Sequence, residues 1–511
     1  MLAKCYSAAV SGVEAQTVEI EVFSTLGNSQ FAIVGLPDQA VKEAKDRIPT
    51  ALKSQGLSSR KELDVTVNLA PADVKKEGPV YDLPIAVGLL KATGKVFSES
   101  LGDYAFAGEL ALSGEIRRVK GVLPMALEMK RIGRRAMLVP EENADEASVV
   151  EGIDIIPVRT LQETVQYLNG ERAIEPRRND LSRLIRENSD AGDDFADVKG
   201  QQDAKSAIEV AVAGGHNILM IGSPGSGKTM LARRIPSILP PLTVEEALEV
   251  SRVHSVAGRE KCAGTFVTSR PFRAPHHTVS SIGLLGGGAK PVPGEVSLAH
   301  RGVLFLDEFA EFPRSALEVL RQPLEDGHVG VSRAAAAHDF PSKFMLVAAM
   351  NPCPCGYFND PRRHCRCSQS SIIKYQSRVS GPLLDRIDIQ IEVDAVPVKE
   401  ISQARPAESS AEVAVRVRAA RERQQERYRQ DGIHCNAQLD SRLMKKYCEL
   451  SPEGTALLHM AVDRMGMSMR AYGRVLKVAR TVADLRGDEK IQTQDVAEAI
   501  QYRELDGKYW K

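Results

Sequence analysis

The chain has 511 residues, 67 basic and 67 acidic, with 43% hydrophobic and 26% charged residues. That length exceeds one hydrophobic core, so two or three domains of ordinary globular composition are expected. A formal net charge of zero excludes nucleic-acid binding through a global basic field; such binding requires a local basic surface such as a pore. No stretch reaches the ~20 apolar residues of a membrane span, and no membrane partner is expected. The start, Met1-Leu2-Ala3-Lys4-Cys5-Tyr6, lacks a signal peptide's apolar core, which predicts a cytoplasmic location. Eight cysteines then read as thiols or metal ligands before disulfides.

Residues 1–170 alternate in the manner of strands. Val18, Ile20 and Val22 point one way and Glu19 and Glu21 the other; Val65 and Val67 alternate with Asp64, Thr66 and Asn68. Between them Asp38 caps a helical stretch that ends near Gly56, with Pro49 placed to kink or restart it. Residues 171–194 are charged and read as a linker carrying a short helix at Leu181–Ile185. A nucleotide-binding core is expected over 195–396, and helical patterning fills 397–511, with a basic run at Arg416–Arg429 and a long amphipathic helix from Ser468 to Gly487.

Within the core, Gly222-Ser223-Pro224-Gly225-Ser226-Gly227-Lys228-Thr229 lies between an apolar strand pattern, Asn217–Ile221, and helical spacing from Met230. Strand, glycine-rich loop and helix in that order make a phosphate-binding loop, because backbone N–H groups and the helix N-terminus converge on an anion. Lys228 is placed to reach the β- and γ-phosphates and Thr229 to ligate Mg²⁺. Downstream, Gly302–Leu306 reads as a buried parallel strand delivering Asp307 and Glu308 to the sheet edge where ligands bind. Asp307 would hold Mg²⁺ through water, and Glu308 would polarise the attacking water. A third strand, Phe344–Met350, ends in Asn351, an amide that can orient the lytic water or sense the γ-phosphate, with a simple cap as the alternative. Together these features predict an NTPase.

Straight after Asn351, Cys353-Pro354-Cys355 and Cys365-Arg366-Cys367 put two C-x-C pairs on the loop 353–367. Four thiolates so close in sequence can close a tetrahedral, structural zinc site, and His364 could replace one of them. Reduced thiols or an iron–sulfur cluster are the alternatives. Cys5, Cys262, Cys435 and Cys448 show no pairing.

The order of these parts resembles an AAA+ ATPase with a C-terminal helical lid. Arg273-Ala274-Pro275-His276-His277-Thr278 and the run Gly294–Glu308 are similar to the magnesium-chelatase-like branch. Gly35-Leu36-Pro37-Asp38, Asn68-Leu69-Ala70-Pro71 and Asp82-Leu83-Pro84-Ile85-Ala86 resemble the N-terminal domain of the bacterial ComM/YifB family. The resemblance covers essentially the whole chain. It implies an α/β protein with three parts: a Lon-protease-like (ribosomal S5 domain 2-like) N-terminal domain, the AAA+ core and the lid. It implies a hexameric ring, with Arg386 in Gly381–Asp388 reaching the γ-phosphate held by the neighbouring subunit. Arg470, opening the lid helix, would be the second nucleotide-contacting arginine; Arg474, Lys477 and Arg480 on that helix read as a solvated face. A finger supplied in trans is worth roughly 10³–10⁵-fold in rate in well-studied NTPases. The resemblance also makes Ser280–Lys290 and the segment from Val329 to His338 pore hairpins, with Lys290 and Arg333 as DNA candidates; Arg333 could instead serve a subunit interface.

Lon-type proteolysis needs a serine nucleophile and a lysine base. Val80 and Leu123 occupy the corresponding positions, which leaves DNA binding or ring organisation for this domain, with Lys75, Lys76 and Lys120 as possible contacts. The function implied is an ATP-driven DNA translocase or branch-migration helicase, promoting integration of single-stranded DNA in recombination or transformation. A magnesium-chelatase motor subunit, which the fused N-terminal domain argues against, and an ATP-dependent protease or chaperone are the alternatives. Lys228→Ala is expected to abolish nucleotide binding, and Glu308→Gln to bind ATP yet barely hydrolyse it. Normal phosphate release by Glu308→Gln would remove Glu308 as the base.

Overall fold

The computed structural model describes residues 1–59, 61–187, 193–258, 266–288, 291–333, 336–360, 363–396 and 407–510. The chain is α/β and divides into two units. The first comprises Met1–Arg186 with Thr243–Thr268 and Ser332–Phe340; the second comprises Glu187–Leu242, Ser269–Val331 and Pro341–Lys511. The stretch expected as a continuous core, 195–396, thus gives up two segments to the first unit. No helix among the described residues is long and apolar enough to cross a membrane.

The first unit is built on a seven-stranded mixed sheet. Its strands run, side by side, Phe31–Val34, Leu63–Ala70, Glu14–Leu26, Leu2–Ser11, Tyr104–Phe106, Ala136–Pro140 and Asp154–Val158. The alternation read from sequence holds: Val18, Ile20, Val22, Val65 and Val67 are buried, and helices Asp82–Ala92 and Val122–Arg131 pack on the strand Glu14–Leu26. The opposite face is polar there, with Lys4 donating to Glu19 at 2.7 Å and Asn68 to Glu21 at 3.0 Å. The Asp38 carboxylate caps a helix by accepting from Val41 N at 2.9 Å. The chain restarts its helix at Glu43 and not at the proline, and Pro49 lies inside Ala44–Ser54.

Two lysine readings divide. Lys75 is exposed and paired with Glu77. Lys76 is not a surface contact: it is fully buried and donates to the Pro71 carbonyl. From the second segment of this unit, helix Val244–Ala257, started by a Thr243–Glu246 capping box, packs on Val122–Arg131.

The second unit carries a five-stranded, wholly parallel sheet ordered Phe272–Arg273, Val303–Leu306, Met345–Met350, Ile218–Ile221, Ile389–Glu392. Its central strands are near-continuous apolar runs because both faces are covered. Ile218, Met220, Val303, Phe305, Val347 and Ile389 enter one core, which continues into the C-terminal helices. Leu219, Ile221, Leu304, Leu306, Leu346 and Ala348 enter the other. The amphipathic stretch expected from Ser468 to Gly487 is a helix, Met469–Arg486, capped by Ser468 and closed by Gly487 at φ 85°.

That helix overturns one expectation. Its basic residues are not a solvated face. Arg480 is 2% exposed and pairs with Asp484 at 3.1 Å; Lys477 donates to Ala437 O at 2.9 Å; Arg474 pairs with the buried Asp388. Asp484 also accepts from Arg427 and Asn436 at 2.9 Å each. His216 joins Asp388 at 3.3 Å to Thr481 at 2.7 Å. Buried charges persist only when paired, so these spaced basic residues answer carboxylates inside the fold. Burial alone would raise the Asp388 carboxyl; Arg474 and His216 outweigh it and hold it far below the ordinary range. That stabilisation is fully present above the unfolded carboxyl value of about 3.9 and is lost progressively as pH falls from there toward the depressed folded value. Arg474→Ala, which strands the Asp388 charge, is expected to cost about 3–5 kcal/mol at neutral pH, read as a lower denaturation midpoint; Arg474→Ala with Asp388→Asn should recover part of the loss.

Candidate functional site

Strand Ile218–Ile221 runs straight into the glycine loop, where Gly225 at φ 78° and Gly227 at φ 94° take left-handed conformations that side chains resist. The loop feeds helix Lys228–Ile238. Lys228 is 8% exposed and folds back over the loop, donating to Gly222 O at 2.7 Å and Ser223 O at 3.1 Å. Its ammonium also lies 3.4 Å from Asn351 Oδ1, which brings two sequence-predicted residues together. Burial pushes the Lys228 ammonium down to about 8, against the opposing pull of Asp307.

The acidic pair arrives from the neighbouring strand but one. Thr229 Oγ1 donates to Asp307 Oδ2 at 2.7 Å, so the two proposed Mg²⁺ ligands already share one place; an oxygen pair of this kind suits a hard cation. Asp307 Oδ1 accepts from Glu308 N at 2.9 Å. Glu308 sits at φ 53°, a strained conformation for a non-glycine residue and common at functional sites.

His277 is the residue that sequence reasoning passed over. Its Nδ1 lies 2.9 Å from Glu308 Oε2, and its ring packs on His276 with centroids 4.1 Å apart. Because Phe272–Arg273 pairs in parallel with Val303–Leu304, the segment after Arg273 emerges at the same sheet edge as Glu308. The histidine pair after that short strand was the available signal.

The four loop cysteines converge. Their sulfurs lie within 4.8 Å of one another, with Cys353–Cys355, Cys355–Cys365 and Cys353–Cys365 at 3.4, 3.6 and 3.7 Å. A tetrahedron with Zn–S bonds of about 2.3 Å has edges of roughly 3.8 Å, so the donor set fits such an ion. His364 is exposed and stands outside the cluster. Cys5, Cys435 and Cys448 are buried and unpaired; Cys262 lies outside the described residues.

Neither Arg386 nor Arg470 lines the cavity beside the glycine loop. Arg386 is 8% exposed, donates to Pro382 O at 2.7 Å and pairs with Glu325. The hydrogen bond from Arg386 first, then the charges of Arg386, Arg470 and Arg321, hold the Glu325 carboxyl below its usual range. Among the pore candidates, Gly286–Gly287 and Val292–Pro293 form a hairpin, with Lys290 outside the described residues. Arg333 closes strand His328–Arg333, which pairs with Ala336–Pro341. Val80 and Leu123, at the Lon-type dyad positions, are buried.

A lysine that burial pushes down to about 8 gives nucleotide affinity a defined sign with pH. Below that value the ammonium meets phosphate charged; above it, binding must also recover a proton. Affinity measured by fluorescent-nucleotide titration is therefore expected to fall as pH rises above about 8, by at most tenfold per pH unit, and Lys228→Arg should flatten that slope.

Three family models match: magnesium chelatase subunit ChlI over residues 194–401, its C-terminal part over 407–503, and a further ChlI-subunit model over 18–143. The last removes the argument that an N-terminal domain sets this chain apart from chelatase-named proteins. The chain is 43% identical over 507 residues to the competence protein ComM of Haemophilus influenzae, covering 99% of this chain and 98% of that one. It is 42% identical over 504 residues to the YifB protein of Escherichia coli, covering 98% and 97%. A shorter match, 27% identical over 128 residues, covers 25% of this chain and 22% of Lon protease 2 of Bacillus subtilis. Near-complete coverage by both full-length relatives, with the matching models, is decisive: the chain belongs to the ComM/YifB family of magnesium-chelatase-like AAA+ ATPases.

Proposed function

We propose that this protein is a hexameric, ATP-driven DNA translocase or branch-migration helicase that promotes integration of single-stranded DNA in recombination or transformation. The observation that carries the hydrolytic half is the convergence of Lys228, Thr229, Asp307, Glu308 and Asn351 at one sheet edge. The full-length similarity to a competence protein supports the DNA half.

Mg²⁺, held by Thr229 and Asp307, would neutralise charge on the β- and γ-phosphate oxygens. Lys228 exchanges the Gly222 and Ser223 carbonyls for phosphate oxygens. Glu308, released from His277, accepts a proton from the water that attacks the γ-phosphorus, and the bond to the ADP oxygen breaks. Asn351 orients that water. Arg386 acts in trans on the neighbouring subunit's nucleotide once its pair with Glu325 opens, and Arg470, drawn to the same carboxylate, accompanies it. Their placement away from this chain's own nucleotide cavity favours a role in trans. The two hairpins would carry Lys290 and Arg333 toward DNA in a ring. Cys353, Cys355, Cys365 and Cys367 would hold a zinc ion in a structural role, four protein ligands leaving none of its chemistry for catalysis.

The magnesium-chelatase motor remains the second reading because the matching models carry that subunit's name. Proteolysis has no nucleophile, since Val80 and Leu123 stand at the dyad positions. The decisive measurement is the ATP hydrolysis rate with single-stranded or branched DNA, with a chelatase partner and porphyrin, or with unfolded protein. Stimulation by DNA is expected; stimulation by either of the others and not by DNA would overturn the proposal. Native mass spectrometry of fresh protein should show one zinc ion per chain, lost in Cys365→Ser, and a metal-free wild-type protein would remove the zinc assignment.

A further inference from the structure

The cysteine loop does more than sit near the nucleotide site. A cavity of about 740 Å³ opens beside Ser223–Gly227, and the loop residues Tyr357, Asp360 and Arg363 form part of its wall. The loop approaches the phosphate-binding loop as closely as atoms allow. A Cβ at Gly356, which lies at φ 83°, would come 2.5 Å from Pro224 Cδ, so only glycine fits there. The loop's own polar groups fix one another. Arg363 Nη1 donates to the Tyr357 hydroxyl at 2.7 Å, its guanidinium carbon lies 5.1 Å from the Tyr357 ring centre, and Arg363 N donates to Asp360 Oδ1 at 3.2 Å.

Tyr357 and Arg363 stand two residues from Cys355 and Cys365 respectively. Those sulfurs are 3.6 Å apart, which ties the two ends of the Tyr357–Arg363 segment together. The base of the loop is anchored by Gln376, whose side chain donates to Pro352 O at 2.9 Å. Phe358 seats one point of the loop on the core, against Tyr509, while the spacing of the loop's two ends is set at the sulfur cluster. Four uncompensated thiolates would repel one another; one cation among them removes that repulsion and fixes the spacing.

We propose that the cysteine loop is a metal-dependent wall of the nucleotide site: with zinc held by Cys353, Cys355, Cys365 and Cys367, Arg363, steadied by Tyr357, binds the nucleotide's phosphate oxygens opposite the phosphate-binding loop. The proposal rests on the reading of Gly222–Thr229 as the nucleotide site and of the cysteines as a zinc site. A guanidinium is suited to this task because its charge survives any burial and its planar donors match phosphate oxygens. Metal occupancy then governs nucleotide affinity, a role a purely structural staple remote from the site would not have.

The test is equilibrium binding of a fluorescent ATP analogue to full-length protein in Mg²⁺ buffer, alongside zinc content by elemental analysis and the melting midpoint. Arg363→Ala is expected to keep its zinc and its melting midpoint while losing about tenfold in affinity, the scale of one charge-assisted hydrogen bond. Wild-type protein stripped of zinc under reducing conditions and returned to Mg²⁺ buffer should lose at least as much, and added zinc should restore it. Arg363→Lys should recover part of the affinity that Arg363→Ala loses. Unchanged affinity in both Arg363→Ala and the stripped protein would overturn the proposal. Lys228→Ala separates the two levels: wild-type binding by that variant would strike down the nucleotide-site reading itself, whereas its failure to bind leaves the loop proposal to stand or fall on Arg363.

Discussion

Three adjacent parallel strands, separated by long stretches of sequence, run in fixed register to one sheet edge, and the chemistry of this chain depends on that register. Ile221 lies beside Met350, so the glycine loop and Asn351 leave the sheet together. Leu306 lies beside Ala348, which delivers Asp307 and Glu308 to the same edge. Side chains alternate between two covered faces, and a slip of one residue would exchange the two cores and separate Thr229 from Asp307. The apolar runs of these strands are therefore positioning devices as much as core, since burial on both faces fixes the register that a half-solvated strand would leave loose.

At this edge the charged groups of the candidate site rest on partners from the chain itself. Lys228 rests on loop carbonyls, Asp307 accepts from Thr229, and Glu308 meets His277. For Lys228 the physical reason is burial: a buried charge without a partner loses hydration and regains nothing. Nucleotide binding on the proposed mechanism is an exchange of partners, and each internal pair sets a threshold that the phosphates must exceed. Glu308, strained at φ 53° and held by an imidazole, has the most to gain from such an exchange.

The parts of this architecture carried by local signals were legible in the sequence. Val18, Ile20 and Val22 declared a strand face by alternation, Asp38 declared a cap, and the glycine loop declared its turn through residues with no other use. Cys353, Cys355, Cys365 and Cys367 declared a cluster by spacing alone. What escaped was decided by the tertiary fold. Arg474 and Lys477 look like any solvated helix face until Asp388 and Ala437 are brought against them, and Arg480 with its helix neighbour Asp484 looks solvated until packing buries the pair. Lys76 looks like its neighbour Lys75, and only the fold turns one inward to the Pro71 carbonyl. His277 lies 31 residues from Glu308, and no periodicity links them; the pairing of Phe272–Arg273 with Val303–Leu304 does. The departure of Thr243–Thr268 to the first unit likewise leaves no mark in composition.

The buried ion pairs of the C-terminal helices bear on the same site. Arg386 and Asp388 lie on one turn before the edge strand Ile389–Glu392, and their side chains go to different partners: Arg386 to Glu325, Asp388 to Arg474. Arg474 is one helical turn from Arg470 on Met469–Arg486, and the charge of Arg470 acts on the same Glu325 that Arg386 holds. The Asp388–Arg474 pair thus binds the segment that carries one arginine to the helix that carries the other. A buried pair of this kind is poor value as a source of stability, since an apolar pair of similar volume does as well. Its geometric demand is stricter, because a charge displaced from its partner is costly where an apolar side chain would merely repack. That strictness suits two arginines that must move as one body if they are to reach a nucleotide held by another subunit.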